Sequence, residues 1–183
     1  MKATEVLMEE HEVILRVLTA LEKAVSKIPN GKFKPDFFLE AADFIKNFAD
    51  ACHHAKEEGV LFVEMASSGV PVKGGPIGVM LAEHEQGRQY TRLMREAAET
   101  WHAGDTSAVE AVKANGMGYV NLLRQHIQKE NNILFPMADR TIPAEKQSGI
   151  WEKFEQIERE ETGEGVHEKY EALANKLEGE ANI

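Results

Sequence analysis

His53-His54-Ala55-Lys56-Glu57-Glu58-Gly59-Val60-Leu61-Phe62 and His126-Ile127-Gln128-Lys129-Glu130-Asn131-Asn132-Ile133-Leu134-Phe135 align without a gap. The His, Lys, Glu, Leu and Phe are identical, and Val60 answers Ile133. On a helix, residues four apart share a face. Each copy therefore sets one imidazole beside one carboxylate, a turn before an apolar anchor. Two such pairs facing one another make a natural metal cage.

The copies stand 73 positions apart, and the same offset upstream lays Glu10-His11-Glu12 on Glu83-His84-Glu85. Four histidines and two glutamates thus recur in register: His11, His53 with Glu57, then His84, His126 with Glu130. An internal repeat of this kind carries the architecture and the chemistry together. A core holding four imidazoles and two carboxylates with no cation between them leaves charge unpaired at high cost.

A chain of 183 residues with 43% apolar content suits one domain with a sizeable core. The net charge of −10 argues against a nucleic-acid partner and against an anionic membrane surface. The single cysteine, Cys52, excludes a disulfide framework and CxxC zinc ribbons, and reads as a packed thiol beside His53. The N-terminus opens on a helical pattern without a signal segment, and no apolar run reaches the length of a membrane span. The expected location is cytoplasmic.

Apolar spacing predicts four long helices. The first runs over about 3–28 with Leu7, His11, Ile14, Leu18, Leu21 and Val25 inward. The second opens at Pro35 and reaches about residue 66, with Phe38, Ala42, Ile45, Ala49, His53 and Glu57 inward. The third opens at Pro76 and ends near His102, carrying His84, Gly87, Thr91 and Met94 on its stripe. The fourth is capped by Asp105 or Thr106 and turns Val112, Gly116, Tyr119, Leu123, His126, Glu130 and Ile133 inward. Pro136 is placed near its last turn. Strand signals are absent, so the expected fold is all-α: an up-down-up-down antiparallel four-helix bundle over residues 1–140. Residues 141–183 form a helical extension, with a fifth helix to about residue 161 and a short last helix over about 166–177. It is expected to pack on the bundle or against a partner subunit, which allows a homodimer. His102 and His167 fall outside the pattern and are expected to be exposed, and the glutamate-rich stretch 155–164 reads as a solvated helical face.

Two glutamates and four histidines suit a pair of iron ions, and Mn or Zn as well. Two ions at five or six coordination need about ten to twelve positions, of which six side chains supply about eight. Water, an oxo or hydroxo bridge, or a small exogenous molecule must fill the rest. O2, NO or peroxide would bind there.

The order His, His-x-x-x-Glu, His, His-x-x-x-Glu, with Leu-Phe after each pair and Pro136 after the second, resembles the hemerythrin-like family of cation-binding domains over roughly residues 5–138. The resemblance implies a non-haem di-iron centre with bridging carboxylates from Glu57 and Glu130 and terminal ligands His11, His53, His84 and His126. Roles in that family include O2 carriage, sensing of O2, iron or redox state, and handling of NO or peroxide. The pattern departs from the oxygen-carrying hemerythrins at two places. Arg88 stands where they have a second histidine one turn after the third-helix ligand, and Asn131 stands where they have an aspartate. The iron-centre-repair branch has a further cysteine-bearing N-terminal segment and a histidine between the first two motifs; neither is found here.

A seventh ligand has local candidates. His54 neighbours His53 but points about 100° away on an ideal helix, and Glu58 faces away similarly. This places His54 in an outer layer or at the surface. Tyr119 lies two turns before His126 on the same stripe, and reads either as an outer donor or phenolate ligand or as a core tyrosine. Gly87 and Gly116 leave space for a diatomic ligand or for close helix packing.

Three function classes follow: a binding or sensing protein for O2 or a related small molecule, a di-iron peroxidase or oxidase (or an iron-handling or repair protein), and a bundle whose metal only stabilises it. No catalytic residue beyond the ligands and no dedicated substrate pocket is readable, which favours the first.

Overall fold

A computed structural model describes residues 2–163 and 165–182, the side chains at 30, 161 and 162 excepted. Among the described residues there is no strand. We number six helices. Helix α1 is Ala3–Lys27. Helix α2 is one run, 35–67, in which Pro35–Phe44 and Phe62–Ser67 are α-helical while Ile45–His54 and Glu57–Leu61 are π-helical. Helix α3 is Pro76–His102. Helix α4 is the run 109–141, built from Val109–Lys129, a π-turn at Glu130–Leu134, and Phe135–Thr141. Helix α5 is the run 147–162, and α6 is Val166–Asn182.

The punctuation follows local chemistry. Pro35 and Pro76 open α2 and α3, where a missing N–H costs nothing. The Asp105 carboxylate accepts the Ser107 N–H at 2.9 Å ahead of α4. Pro136 follows directly on the π-turn and the helix continues past it to Thr141, because the widened turn already departs from the i to i−4 ladder that proline cannot join.

Helix α3 lies along α2 and α4, and α1 lies along α4. These neighbours, joined by short connections, fit the up-down-up-down bundle. Two apolar clusters form, and on each long helix the donors fall between them. On α1, Leu7 belongs to one cluster and Ile14 to the other, with His11 between. Ala49 and Val60 flank His53 and Glu57 on α2, Met80 and Met94 flank His84 on α3, and Leu123 and Leu134 flank His126 and Glu130 on α4. Each fully buried Leu or Phe of such a layer stabilises by about 1.5–3 kcal/mol, and this offsets a polar layer in the middle.

The extension is built onto the bundle. Helix α6 lies against α1 and α2 and buries Tyr170, Ala174, Leu177 and Ala181, so its apolar stripe is covered within the chain. It is five residues longer than the expected end at 177, since burial of Ala181 outweighs the weak helix propensity of Gly179. Helix α5 packs over the Glu57–Leu61 turn. That cover explains one departure from the repeat: Val60 is buried, whereas its counterpart Ile133, expected inward, is 56% exposed. Leu134 is buried in the π-turn Glu130–Leu134, as its counterpart Leu61 is in Glu57–Leu61. His102 is exposed as expected, but His167 is half-buried, its ring 5.2 Å from Phe48. Of the glutamate-rich face, Glu158 turns inward to Lys56, while residue 164 and the side chain of 161 lie outside the described residues.

Candidate metal centre

His11, His53, Glu57, His84, His126 and Glu130 are all buried at one level of the bundle. They fall into two overlapping groups. The first is His11, His53, Glu57 and Glu130; the second is His54, Glu57, His84 and His126. Within each group one donor atom per residue lies within 4.8 Å of all the others. Glu57 belongs to both. Its Oε1 is 3.5 Å from His53 Nε2 and its Oε2 is 3.3 Å from His84 Nε2. Glu130 spans the same gap from the other side, with Oε2 3.2 Å from His11 Nε2 and Oε1 3.1 Å from His126 Nε2.

The second group contains His54, which the ideal-helix angle had turned away. It is 4% exposed, and its ring stacks on His84. The buried sector of a bundle helix is itself about 100° wide or more, so neighbours can share it. The π-helical stretch Ile45–His54 narrows the angle per residue further. The counterpart in the second copy, Ile127, is also buried, so the slot faces inward in both halves and only the residue type differs.

Five imidazoles obey one rule. The outer nitrogen, Nδ1, of each meets an oxygen: His11 with Asn131 at 2.7 Å, His53 with Glu10 at 2.9 Å, His84 with Glu58 at 2.7 Å, His126 with Glu83 at 2.9 Å, and His54 with Asp50 at 3.4 Å. A carboxylate or amide oxygen only accepts, so each Nδ1 donates, and a ring in its neutral form then presents Nε2 inward as a lone pair. Glu10 and Glu83 are in register under the 73-residue offset, and so are Glu58 and Asn131. The outer layer is duplicated along with the inner one. The conserved lysines of the two copies complete it: Lys56 donates to Glu10 and to Glu158 of α5, and Lys129 donates to Glu83. Sequence reading noted those lysines and the register of Glu10 and Glu83 but gave them no role. Glu58, expected to face away, also accepts from Arg88, which in turn holds Asp50.

Electrostatics follow from this packing. Burial opposes ionisation of Glu57, but the facing His53 and His84 hold its carboxyl well below the usual range. Burial would lower His53, yet Glu57 and Glu10 raise it to about 10. His126 is likewise raised to about 9, against burial, by Glu130. His54 is pushed down to about 3 by burial and by the neighbouring His84. His54 is therefore a neutral donor.

The donor set fits metal ions. The Nε2 atoms of His11 and His53 and all four carboxylate oxygens of Glu57 and Glu130 are buried without a hydrogen-bond partner. Unsatisfied buried groups of this number are costly unless a cation sits among them. The outer nitrogens and carboxylates are meanwhile fully engaged, as supports of metal ligands generally are. Tyr119 belongs to the apolar cluster that holds Leu123 and Met94, and is 1% exposed with its hydroxyl also unpartnered among the described residues. Gly87 faces its ring; a Cβ there would meet Tyr119 Cε2 at 3.4 Å, an ordinary van der Waals contact.

A profile of the hemerythrin HHE cation binding domain matches residues 2–138. The chain belongs to this family. An uncharacterised protein of Mycobacterium tuberculosis is 25% identical over 163 residues, 88% of this chain and 63% of that one. The iron-sulfur cluster repair protein YtfE of Dickeya chrysanthemi is 34% identical over 98 residues, 48% of this chain and 41% of that one. YtfE of Edwardsiella ictaluri is 28% identical over 133 residues, 71% of this chain and 60% of that one. The chain thus spans about three fifths of the length of the mycobacterial relative. No solved structure matches. Among the described residues no helix is long and apolar enough to cross a membrane.

Proposed function

We propose that this HHE-domain chain holds two iron ions and binds O2, NO or peroxide at an iron position that the protein leaves open. The observation that carries this reading is the pair of overlapping donor groups sharing Glu57. Five imidazole nitrogens and four carboxylate oxygens supply about nine of the ten to twelve positions that two such ions need. The open position would fall on one side. His54, His84 and His126 give one ion three imidazoles, whereas His11 and His53 give the other only two. The exogenous molecule belongs on the His11–His53 side, where Phe135 stacks on His11 at 5.4 Å and keeps the surroundings apolar. When bound, the iron pair supplies redox-active centres for a small oxidant or radical. Glu10, Glu58, Glu83, Asp50 and Asn131 fix the imidazole orientations that receive it.

The test is elemental analysis of the purified protein with optical spectra before and after reduction and exposure to O2 and to NO. Two irons per chain and a reversible gas-dependent spectral change support the reading. Fewer than one iron per chain, or a spectrum indifferent to both gases, would sink it. The likeness to YtfE favours a second reading, iron handling. Transfer of iron from the loaded protein to an iron-free acceptor, absent for a tightly held centre, separates the two.

A further inference from the structure

Beside the metal layer a cleft of about 620 Å3 opens between α2 and α3. Its size lies within the usual range of about 300–1,000 Å3 for small-molecule sites. Ala42, Ile45 and the Tyr119 ring give it an apolar interior, and His54 lies at its inner edge. Its lining carries four cationic side chains, Lys46, Arg88, Arg92 and Arg95, against two carboxylates, Asp43 and Asp50. Three acids that pair with Arg88, Arg92 and Arg95, namely Glu58, Glu96 and Glu99, lie outside this lining.

The two carboxylates are already engaged. Asp50 accepts from Arg88 at 2.8 Å, and Asp43 accepts from the Tyr170 hydroxyl at 3.0 Å and from the Asn47 amide at 3.1 Å. Arg88 is held by that bond and by Glu58, so it serves as wall. Arg92 and Arg95 pair with Glu96 and Glu99, one turn on along the same helix, in exposed pairs of the kind worth about 0.3–0.5 kcal/mol. Those side chains can exchange a weak partner for a better one. At the floor, the Tyr119 hydroxyl is buried and has no partner. An apolar floor beneath a cationic rim suits an amphiphilic anion.

We propose that this cleft binds a small organic anion: a negatively charged head at Lys46, Arg92 and Arg95, and an apolar body against Ala42, Ile45 and the Tyr119 ring. The occupant would lie against the His54 edge of the metal layer. The binding itself does not depend on the metal assignment.

Calorimetry with 4-phenylbutyrate on the protein as purified tests this, with 4-phenylbutanol and inorganic phosphate as the uncharged and the bodiless comparisons. The expected result is saturable one-to-one binding of the carboxylate, with both comparisons at least tenfold weaker. The exposed double variant K46E/R92E should weaken carboxylate binding at least tenfold while its helical circular dichroism and metal content stay unchanged. Non-saturable binding, equal affinity for the alcohol, binding of phosphate as tight as the carboxylate, or a K46E/R92E variant that binds as well as the parent would each overturn the proposal.

Discussion

His54 stacks on His84 with ring centroids 3.8 Å apart and planes within 16° of parallel. The pair brings an α2 side chain with no counterpart in the repeat into a donor group with three residues that have one. His54→Ile copies the residue that fills the same slot at position 127, so the fold should survive with a stability change under about 1.5 kcal/mol. Metal at the His84–His126 group should weaken at least about tenfold. Metal titration followed by elemental analysis reads this; an unchanged content of two ions per chain removes His54 from the ligand set.

Glu57 reaches both halves of the centre, and Glu57→Ala should therefore lose both ions rather than one. Because ion binding is coupled to folding, the melting temperature should fall with the metal content. Elemental analysis and a thermal scan on the same sample give the answer. A variant that keeps one ion per chain shows that Glu57 does not bridge.

The two lysines of the repeat hold equivalent glutamates at unequal depth. Lys56 has a fully buried side chain, whereas that of Lys129 is 38% exposed. Lys56→Met leaves the Glu10 charge buried beside His53 without its ammonium and should cost about 3–5 kcal/mol. Lys129→Met should cost about 0–1 kcal/mol. Denaturant midpoints of the two variants, measured side by side, check the contrast.

Burial and the adjacent Asp43 carboxylate raise the Tyr170 phenol to about 12, above its ordinary value of 10.0. The phenol is thereby a weaker acid, and the folded chain favours its neutral form. Its contribution is complete below about pH 10 and is lost as pH climbs towards 12. Stability measured over that window should fall less steeply in Tyr170→Phe than in the parent. Parallel curves would show that the phenol does not titrate with unfolding.

Leu177 of α6 is fully buried in the cluster that contains Leu18 and Phe38. Leu177→Ala should cost about 2–5 kcal/mol if the extension is integral to the bundle. A loss below about 0.5 kcal/mol, in the same denaturation assay, would mark α6 as a loosely attached appendage.

The six in-register donors were readable because each sits on an apolar stripe of period 3.6 and recurs at one offset, as His11 and His84 do. The all-α architecture was readable from the same stripes. What escaped was whatever depends on departures from an ideal helix or on distant segments. His54 turned inward through a wide buried sector and a π-helical stretch, neither of which leaves a spacing signal. Ile133 stayed outside because α5 covers one copy of the repeat and not the other. Glu10 and Glu83 were in plain sight as repeated letters, but their roles as partners of His53 and His126 needed the crossing of α1 with α2 and of α3 with α4 to be known. The cleft had no signature because its walls come from α2 and α3 and its floor from α4.

The histidine at 54 and the isoleucine at 127 occupy twin slots in twin hairpins. A scaffold that nearly maps onto itself by a two-fold rotation would treat two occupants alike and give neither a preference for an incoming guest. One differing letter ends that parity: on the proposed reading it would crowd one berth and leave the neighbouring one to receive visitors.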